Sequence, residues 1–276
     1  MKNAEKGKLV KIVLTSIMAA MSLIVIAPLL IMIFGSLKNP TEAQLFNMNL
    51  PGEWHFENYI YVIKHGGIGQ AFINSMIITI VITIIELIFS SLCAFVISRK
   101  STRYTKIIYN LFVLGMVSPV QIVTTFGVLK ALNLIGTFAG VILVQIAVHI
   151  PWSIFTLTGF IRNVPTDLDE AAYIDGASPT VIFFKIILPL MKPILTTVLV
   201  TTAMSAWNEF MIPLYFFNSA SKWTMPLTVY NFFGQYASNW NYVFADLVLT
   251  ALPITLLYLF CQKYIIAGQT AGAVKG

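Results

Sequence analysis

Glu170-Ala171-Ala172-Tyr173-Ile174-Asp175-Gly176-Ala177 reads as one small helix and its stop, set in a charged interval between long apolar segments. Pro165-Thr166 precedes Asp167 and Asp169, so Thr166 is placed to cap that helix, with acids in the opening turn where the dipole favours them. Gly176 stands where a helix C-terminus wants a residue tolerant of positive φ. Ser178-Pro179 then restarts the chain, Ser as N-cap and Pro at the first helical position, and the second short helix is expected to end at Pro189. Ala171, Ala172 and Ala177 keep the corner slim, a shape suited to a knob entering another protein's groove.

Outward from this corner the chain is apolar. Of its 276 residues 58% are hydrophobic and only 10% charged, where a soluble domain carries about 25% charge. Six segments, at 12–37, 71–98, 107–129, 137–161, 193–217 and 243–262, reach or approach the roughly 20 residues that cross about 30 Å of hydrocarbon. The reading is an all-α membrane protein, 1–276 forming one transmembrane domain, with residues 162–192 as a loop between the fourth and fifth spans. The first apolar run is too long for a signal peptide and reads as a retained span. Pro119 is expected to kink the third span. Residues 38–70, with a short interfacial helix, and 218–242 are the external segments.

The charges orient this arrangement. With Lys2, Lys6, Lys8, Lys11, the cluster Arg99, Lys100, Arg103 and Lys106, and Arg162, Lys185, Lys192, Lys263 and Lys275 inside, 13 of the 17 basic residues lie on one side. Both termini and the 162–192 loop are therefore expected in the cytoplasm. The net charge of +6 follows from this asymmetry, and no nucleic-acid partner is expected. Cys93 and Cys261 both fall in apolar segments without metal-ligand spacing, so they read as packing residues and no metal is expected.

The run Glu170 to Pro193, EAAYIDGASPTVIFFKIILPLMKP, closely resembles the EAA loop of bacterial ABC importer permeases, at Glu170, Ala171, Ala172, Asp175, Gly176, Ala177, Phe183, Leu188, Pro189 and Pro193. The resemblance implies a six-span type I importer permease fold in which this loop is a cytoplasmic coupling helix docked on an ATPase subunit. It implies polar anchoring by Glu170 and Asp175, close approach at Ala171 and Ala172, and a turn at Gly176. Asn74-Ser75, Phe155, Gly159-Phe160, Trp207-Asn208-Glu209-Phe210 and the ending Ile266 to Gly276 are similar to the sugar-transporting branch, closest to the shorter, second permease of maltose-type systems. The partners so implied are a second, non-identical permease, an ATPase homodimer, an extracytoplasmic sugar-binding protein and the lipid bilayer of a bacterial inner membrane. The expected cargo is a di- or oligosaccharide.

No P-loop, H-E-x-x-H or G-x-S-x-G occurs, so no catalytic set is expected on this chain, and ATP and Mg would sit on the partner ATPase. A carboxylate near the bilayer centre costs about 2.5–3.5 kcal/mol on insertion scales, so each acid there should face protein or a water-filled path. Glu209 lies 16 residues past Pro193, or about 24 Å along a helix. With Trp207 and Asn208 it offers a ring for stacking and polar groups for hydroxyls; an interhelical hydrogen bond is the plainer alternative. His149 and Trp152 are further candidates for the path, or for packing. Glu86 reads as a structural contact with the partner permease or a neighbouring span. A permease for another polar solute, such as glycerol phosphate, stays open. So does an ATP-independent secondary transporter, although the two halves show no matching broken helices.

Overall fold

In lipid a chain must satisfy its own backbone polar groups, and a sequence this apolar does so by folding into helices. The computed structural model describes residues 2–234 and 239–273, with side chains for 11, 13–234 and 239–262. Val274, Lys275 and Gly276 lie outside the described residues, as do the side chains of Lys2, Lys6, Lys8, Lys263 and the run 266–273. Helices α1 (Lys2–Gly35), α2 (Pro40–Ala43), α3 (Glu57–His65), α4 (Ile68–Arg99), α5 (Arg103–Val117), α6 (Ile122–Ala131) and α7 (Phe138–Arg162) form the first part. The 162–192 loop holds α8 (Asp167–Ile174), α9 (Pro179–Val181), a π-helical turn (Ile182–Ile187) and α10 (Leu188–Leu190). Then follow α11 (Lys192–Asn208), α12 (Met211–Phe216), two 3-10 turns (Ala220–Lys222 and Met225–Asn231) and α13 (Trp240–Ala273).

Among the described residues four helices are long and apolar enough to cross a bilayer: Val13–Gly35 within α1, all of α4 and α7, and Trp240–Gln262 within α13. Pro179–Leu190 and Lys192–Asn208 make a fifth candidate only as a pair bent by 77°. Two expected spans are not continuous. The third, 107–129, is divided between α5 and α6, because Pro119 has no N–H and drives Ser118 to an extended conformation (φ −78°, ψ 123°). A break replaces the expected kink. The fifth, 193–217, stops at Asn208: Glu209 is extended (φ −66°, ψ 121°), and Pro213 cannot donate back to its carbonyl.

By internal contacts the chain divides into two compact units, Met1–Ile68 with Thr228–Leu252, and Gly69–Leu227 with Pro253–Gly276. The first unit is centred on buried Asn58, whose amide donates to the carbonyls of Ser36 and Lys38, both at 2.9 Å. Its oxygen accepts from Asn241 Nδ2 at 2.9 Å. Lys38, equally buried, donates to the backbone and side-chain oxygens of Asn47 at 3.1 and 2.8 Å. Asp246, which the sequence reading passes over, is buried in α13 and accepts from Thr228 Oγ1 at 2.8 Å. Tyr61 stacks on Tyr242 with ring centroids 4.3 Å apart. The short helix expected within 38–70 is present as α3, whose opening Glu57 is held below the usual carboxylate range by its hydrogen bond from the His55 ring.

Among its described residues the second unit has two apolar cores. One joins Ile78 and Ile82 of α4 to Val141 and Val144 of α7 and to Ala206, Ile212 and Phe216. The other gathers Ala94, Leu157, Ile161, Ile187 and Val198. Asn74 and Ser75 tie the start of α4 to the chain after α12: Asn74 Nδ2 donates to the carbonyls of Ser221 and Trp223 at 3.0 and 2.9 Å, and Ser75 Oγ accepts from Met225 N at 2.8 Å.

Replacing Asn58 by Ala strands two carbonyls and the Asn241 amide, at a cost of about 2–3 kcal/mol. A thermal melt in detergent should show a midpoint several degrees lower. Asn58→Asp should be no better, since a carboxylate cannot donate to those carbonyls.

Candidate functional site

The corner at Gly176 has the geometry that its residues call for. Gly176 has φ +81°, its N–H donates to Tyr173 O at 3.0 Å, and Ala177 N–H donates to Ala172 O at 2.9 Å. These two bonds close the end of α8 as a Schellman motif. Space is open where a Cβ would stand, so only the backbone conformation reserves the site for glycine. Ser178 caps α9 by accepting from Val181 N at 3.4 Å, with Pro179 in the first helical position. Thr166 does not cap α8. It is itself helical (φ −70°, ψ −21°) and contributes its backbone carbonyl, which accepts from Asp169 N and Glu170 N. Asp167, Asp169 and Glu170 do occupy the first turn.

The loop is fastened to the membrane helices on one face. Ala172 is turned inward into the same core as Ile161 of α7, Ile182 and Ile187 of the π-helical turn, and Ile194 of α11. The Phe183 ring is buried against Phe95 of α4, with centroids 5.2 Å apart. Leu188 N–H donates to Phe183 O, five residues back, and Pro189 supplies no N–H to restore the α-helical ladder behind it. Arg99, the last residue of α4, reaches across to the end of α7, to the linker after it and to the first turn of α8. Its Nη1 donates to Ile161 O and Val164 O at 3.3 and 3.1 Å. Its Nε lies 2.5 Å from Asp169 Oδ2, off the line of a hydrogen bond, and Nη2 donates to Asp169 Oδ1 at 3.5 Å. Both side chains are nearly buried, at 11% and 13% exposed.

The opposite face is bare. Glu170, Ala171, Asp175 and Gly176 are exposed, Ala177 is half-buried, and Pro189 is exposed. Between them stand two apolar side chains that the sequence reading does not single out, Tyr173 and Ile174, at 58% and 87% exposed. An isoleucine in the last turn of a short polar-flanked helix, next to an inward alanine, is the signal that would have found them. Ala172 and Phe183, expected at the partner surface, are instead part of this chain's own interior.

The candidate path residues fall in three places. His149 and Trp152 line one cavity of about 410 Å3 together with Thr201, Thr202 and Ser205, and buried His149 Nδ1 has no hydrogen-bond partner among the described residues. Trp207 lies elsewhere, buried edge-on to Phe72 (centroids 5.8 Å apart) beside an apolar cavity of about 530 Å3 that Met76 and Ile254 also line. Asn208 is exposed at the end of α11, and Glu209 Oε1 accepts from Ile212 N at 3.0 Å, which anchors the start of α12. Glu86 is fully buried and binds neighbouring spans of its own chain: Ser153 Oγ and Thr202 Oγ1 both donate to its Oε1, the latter at 3.1 Å. Through Thr202 it reaches the wall of the His149 cavity. Among the described residues no group of three or more His, Cys, Asp or Glu is placed to hold a metal.

Arg99→Met keeps the apolar stem and removes every bond to α7 and α8. The loss of about 2 kcal/mol should speed amide hydrogen exchange over residues 167–175 roughly thirtyfold, with the interior of α4 unchanged.

The chain is 34% identical over 258 residues to the multiple sugar-binding transport system permease protein MsmG of Streptococcus mutans, covering 92% of this chain and 93% of that protein. It is 34% identical over 229 residues to the melibiose/raffinose/stachyose import permease protein MelC of Bacillus subtilis, covering 82% and 83%. Its fold is similar to a chain of a bacterial ABC transporter involved in the import of the acidic polysaccharide alginate, with a TM-score of 0.78 at 20% identity, over 93% of this chain and 96% of that one. A second match, at TM-score 0.61 and 17% identity over 75% of this chain and 81% of that one, is to a bacterial alginate ABC transporter in complex with alginate pentasaccharide-bound periplasmic protein. Residues 86–269 match the family described as the binding-protein-dependent transport system inner membrane component, and the chain belongs to that family.

Proposed function

We propose that this permease moves a di- or oligosaccharide into the cell, driven by ATP hydrolysis on a separate ATPase dimer that grips the 162–192 loop. The observation that carries the reading is the bare ridge of α8. Ile174, 87% exposed, and Tyr173 form a small apolar knob flanked by Glu170 and Asp175, on an arm fastened by Arg99 and Ala172 to α4, α7 and α11. A helix end of this kind suits a groove in a partner that supplies an apolar floor and polar rims. When the ATPase subunits close on ATP, a firmly held knob must travel with its subunit and carry the attached helices along as a rigid body. The coupling has a driving force only if the partner holds the knob in a different position in each state.

The cavity of His149 and Trp152 is the polar stretch of the sugar path in this reading. Its indole offers a face to the apolar side of a sugar ring, and Thr201 and Ser205 offer hydrogen bonds to hydroxyls. In this reading the membrane is a bacterial inner membrane, and the charge bias supports residues 99–106, the 162–192 loop and both termini on its cytoplasmic side. Segments 38–70 and 218–242 then face an extracytoplasmic sugar-binding protein. A second, non-identical permease completes the translocation path, and ATP with Mg is bound by the ATPase. The names of the sugar permeases that share about a third of this sequence support the choice of cargo.

The test is ATP hydrolysis by the assembled transporter in proteoliposomes with its binding protein. Neutral oligosaccharides should stimulate hydrolysis, and Ile174→Asp, which charges the knob, should cut the stimulated rate roughly thirtyfold while the chain still inserts in the membrane. Full stimulation of the variant contradicts the coupling assignment, and a response confined to non-sugar solutes such as glycerol phosphate contradicts the sugar.

A further inference from the structure

Three of the basic residues that set the charge asymmetry share one cleft. Lys100, Lys106 and Arg162 line a space of about 420 Å3 between the end of α4, the start of α5 and the end of α7. Ser101, Thr105 and Asn110 give it hydroxyl and amide walls. No carboxylate answers these charges, for among the described residues the ion pairs are Arg99 with Asp169 and His55 with Glu57. The Arg162 guanidinium lies over the Tyr109 ring, 4.8 Å from its centroid, which fixes a planar donor at the wall. Beside the cleft, α5 begins with a reciprocal cap between Thr102 and Thr105, so the positive end of a 15-residue helix adds to the same field.

Convergent cations with a serine hydroxyl and an asparagine amide beside a helix N-terminus are the chemistry that holds a phosphate. The neighbouring surface selects the phosphate's carrier. The cleft sits at the ends of two membrane-spanning helices, and the face of α5 that carries Lys106 and Asn110 runs on through half-buried Val113 to Val117, 77% exposed. A polar site opening onto an apolar strip fits an anionic headgroup with its acyl chains alongside. We infer that this cleft binds the phosphate of an anionic phospholipid, in the leaflet on the side of the 162–192 loop; naming that leaflet cytoplasmic rests on the orientation proposed above.

Native mass spectrometry of the full chain, purified with its accompanying subunits in a neutral detergent, reads this directly when phosphatidylglycerol or phosphatidylcholine is added. Wild type should retain phosphatidylglycerol preferentially, and Lys106→Gln with Arg162→Gln should weaken that retention roughly fivefold for each cation removed. Arg103→Gln with Lys185→Gln removes equal charge outside the cleft and should leave retention intact. Equal retention of the two lipids, or equal loss in both pairs of variants, overturns the site. Displacement of the lipid by millimolar inorganic phosphate overturns the lipid assignment in favour of a soluble anion. The measurement uses no nucleotide, sugar or membrane orientation, so its failure leaves the importer reading standing, and the converse holds.

Discussion

The guanidinium of Arg99 closes a junction that apolar packing alone could not hold. It donates to Ile161 O in the last turn of α7 and to Val164 O just beyond it, and it pairs with Asp169 in the first turn of α8. An arginine can serve two carbonyls and a carboxylate at once because its donors are fixed in a plane. Its own position at the end of α4 also suits the dipole of that helix. The placement of α8, and with it the bare Tyr173–Ile174 ridge, follows from this one side chain together with the inward turn of Ala172.

Within the apolar region α4 and α7 are tied again, here together with α11. Glu86 of α4 receives hydroxyls from Ser153 of α7 and Thr202 of α11. Lipid is as apolar as leucine, so hydrophobicity does not by itself hold one membrane helix against another, and buried polar bonds and close packing fix their register. Two such ties, at Arg99 and Glu86, with a continuous core from Ala172 through Met191 to Val198 between them, make the loop and α11 one body despite the 77° bend. A force applied at α8 is then delivered to Thr202, which lines the His149 cavity. That continuity gives the proposed coupling its physical route.

Local features were legible in the sequence wherever a residue's own chemistry decided them. Gly176 has the positive φ that its place after α8 requires, and Ser178-Pro179 starts a helix as written. The longest apolar runs became α1, α4, α7 and α13 with ends within a few residues, apart from the two terminal helices, which run on into the flanking tails. What needed distant partners was not legible. Glu86 bonds to residues 67 and 116 positions away, so its role as a clamp within the chain could not be separated from contact with another subunit. Trp207, Asn208 and Glu209 are adjacent in sequence, yet the chain leaves the helix at Glu209 and sends the three to different surroundings. The two broken spans were hidden because composition records apolarity and not continuity, although Pro119 and Pro213 mark both breaks. Asp246 was passed over as a lone acid in an apolar run, where its partner Thr228 lies in a 3-10 turn that no periodicity reveals.

The ties at Arg99 and Glu86 predict that the 162–192 loop and α11 move as a single body. Spin labels at Thr180 and Asn208, both exposed, in a chain with Cys93 and Cys261 replaced by serine, report the distance across the bend by pulsed electron resonance. In the assembled transporter the account predicts one distance distribution, the same without nucleotide and with a non-hydrolysable ATP analogue. A distribution that shifts or splits when the analogue binds would show that the bend at Met191 is a hinge, and the rigid-arm account would be wrong.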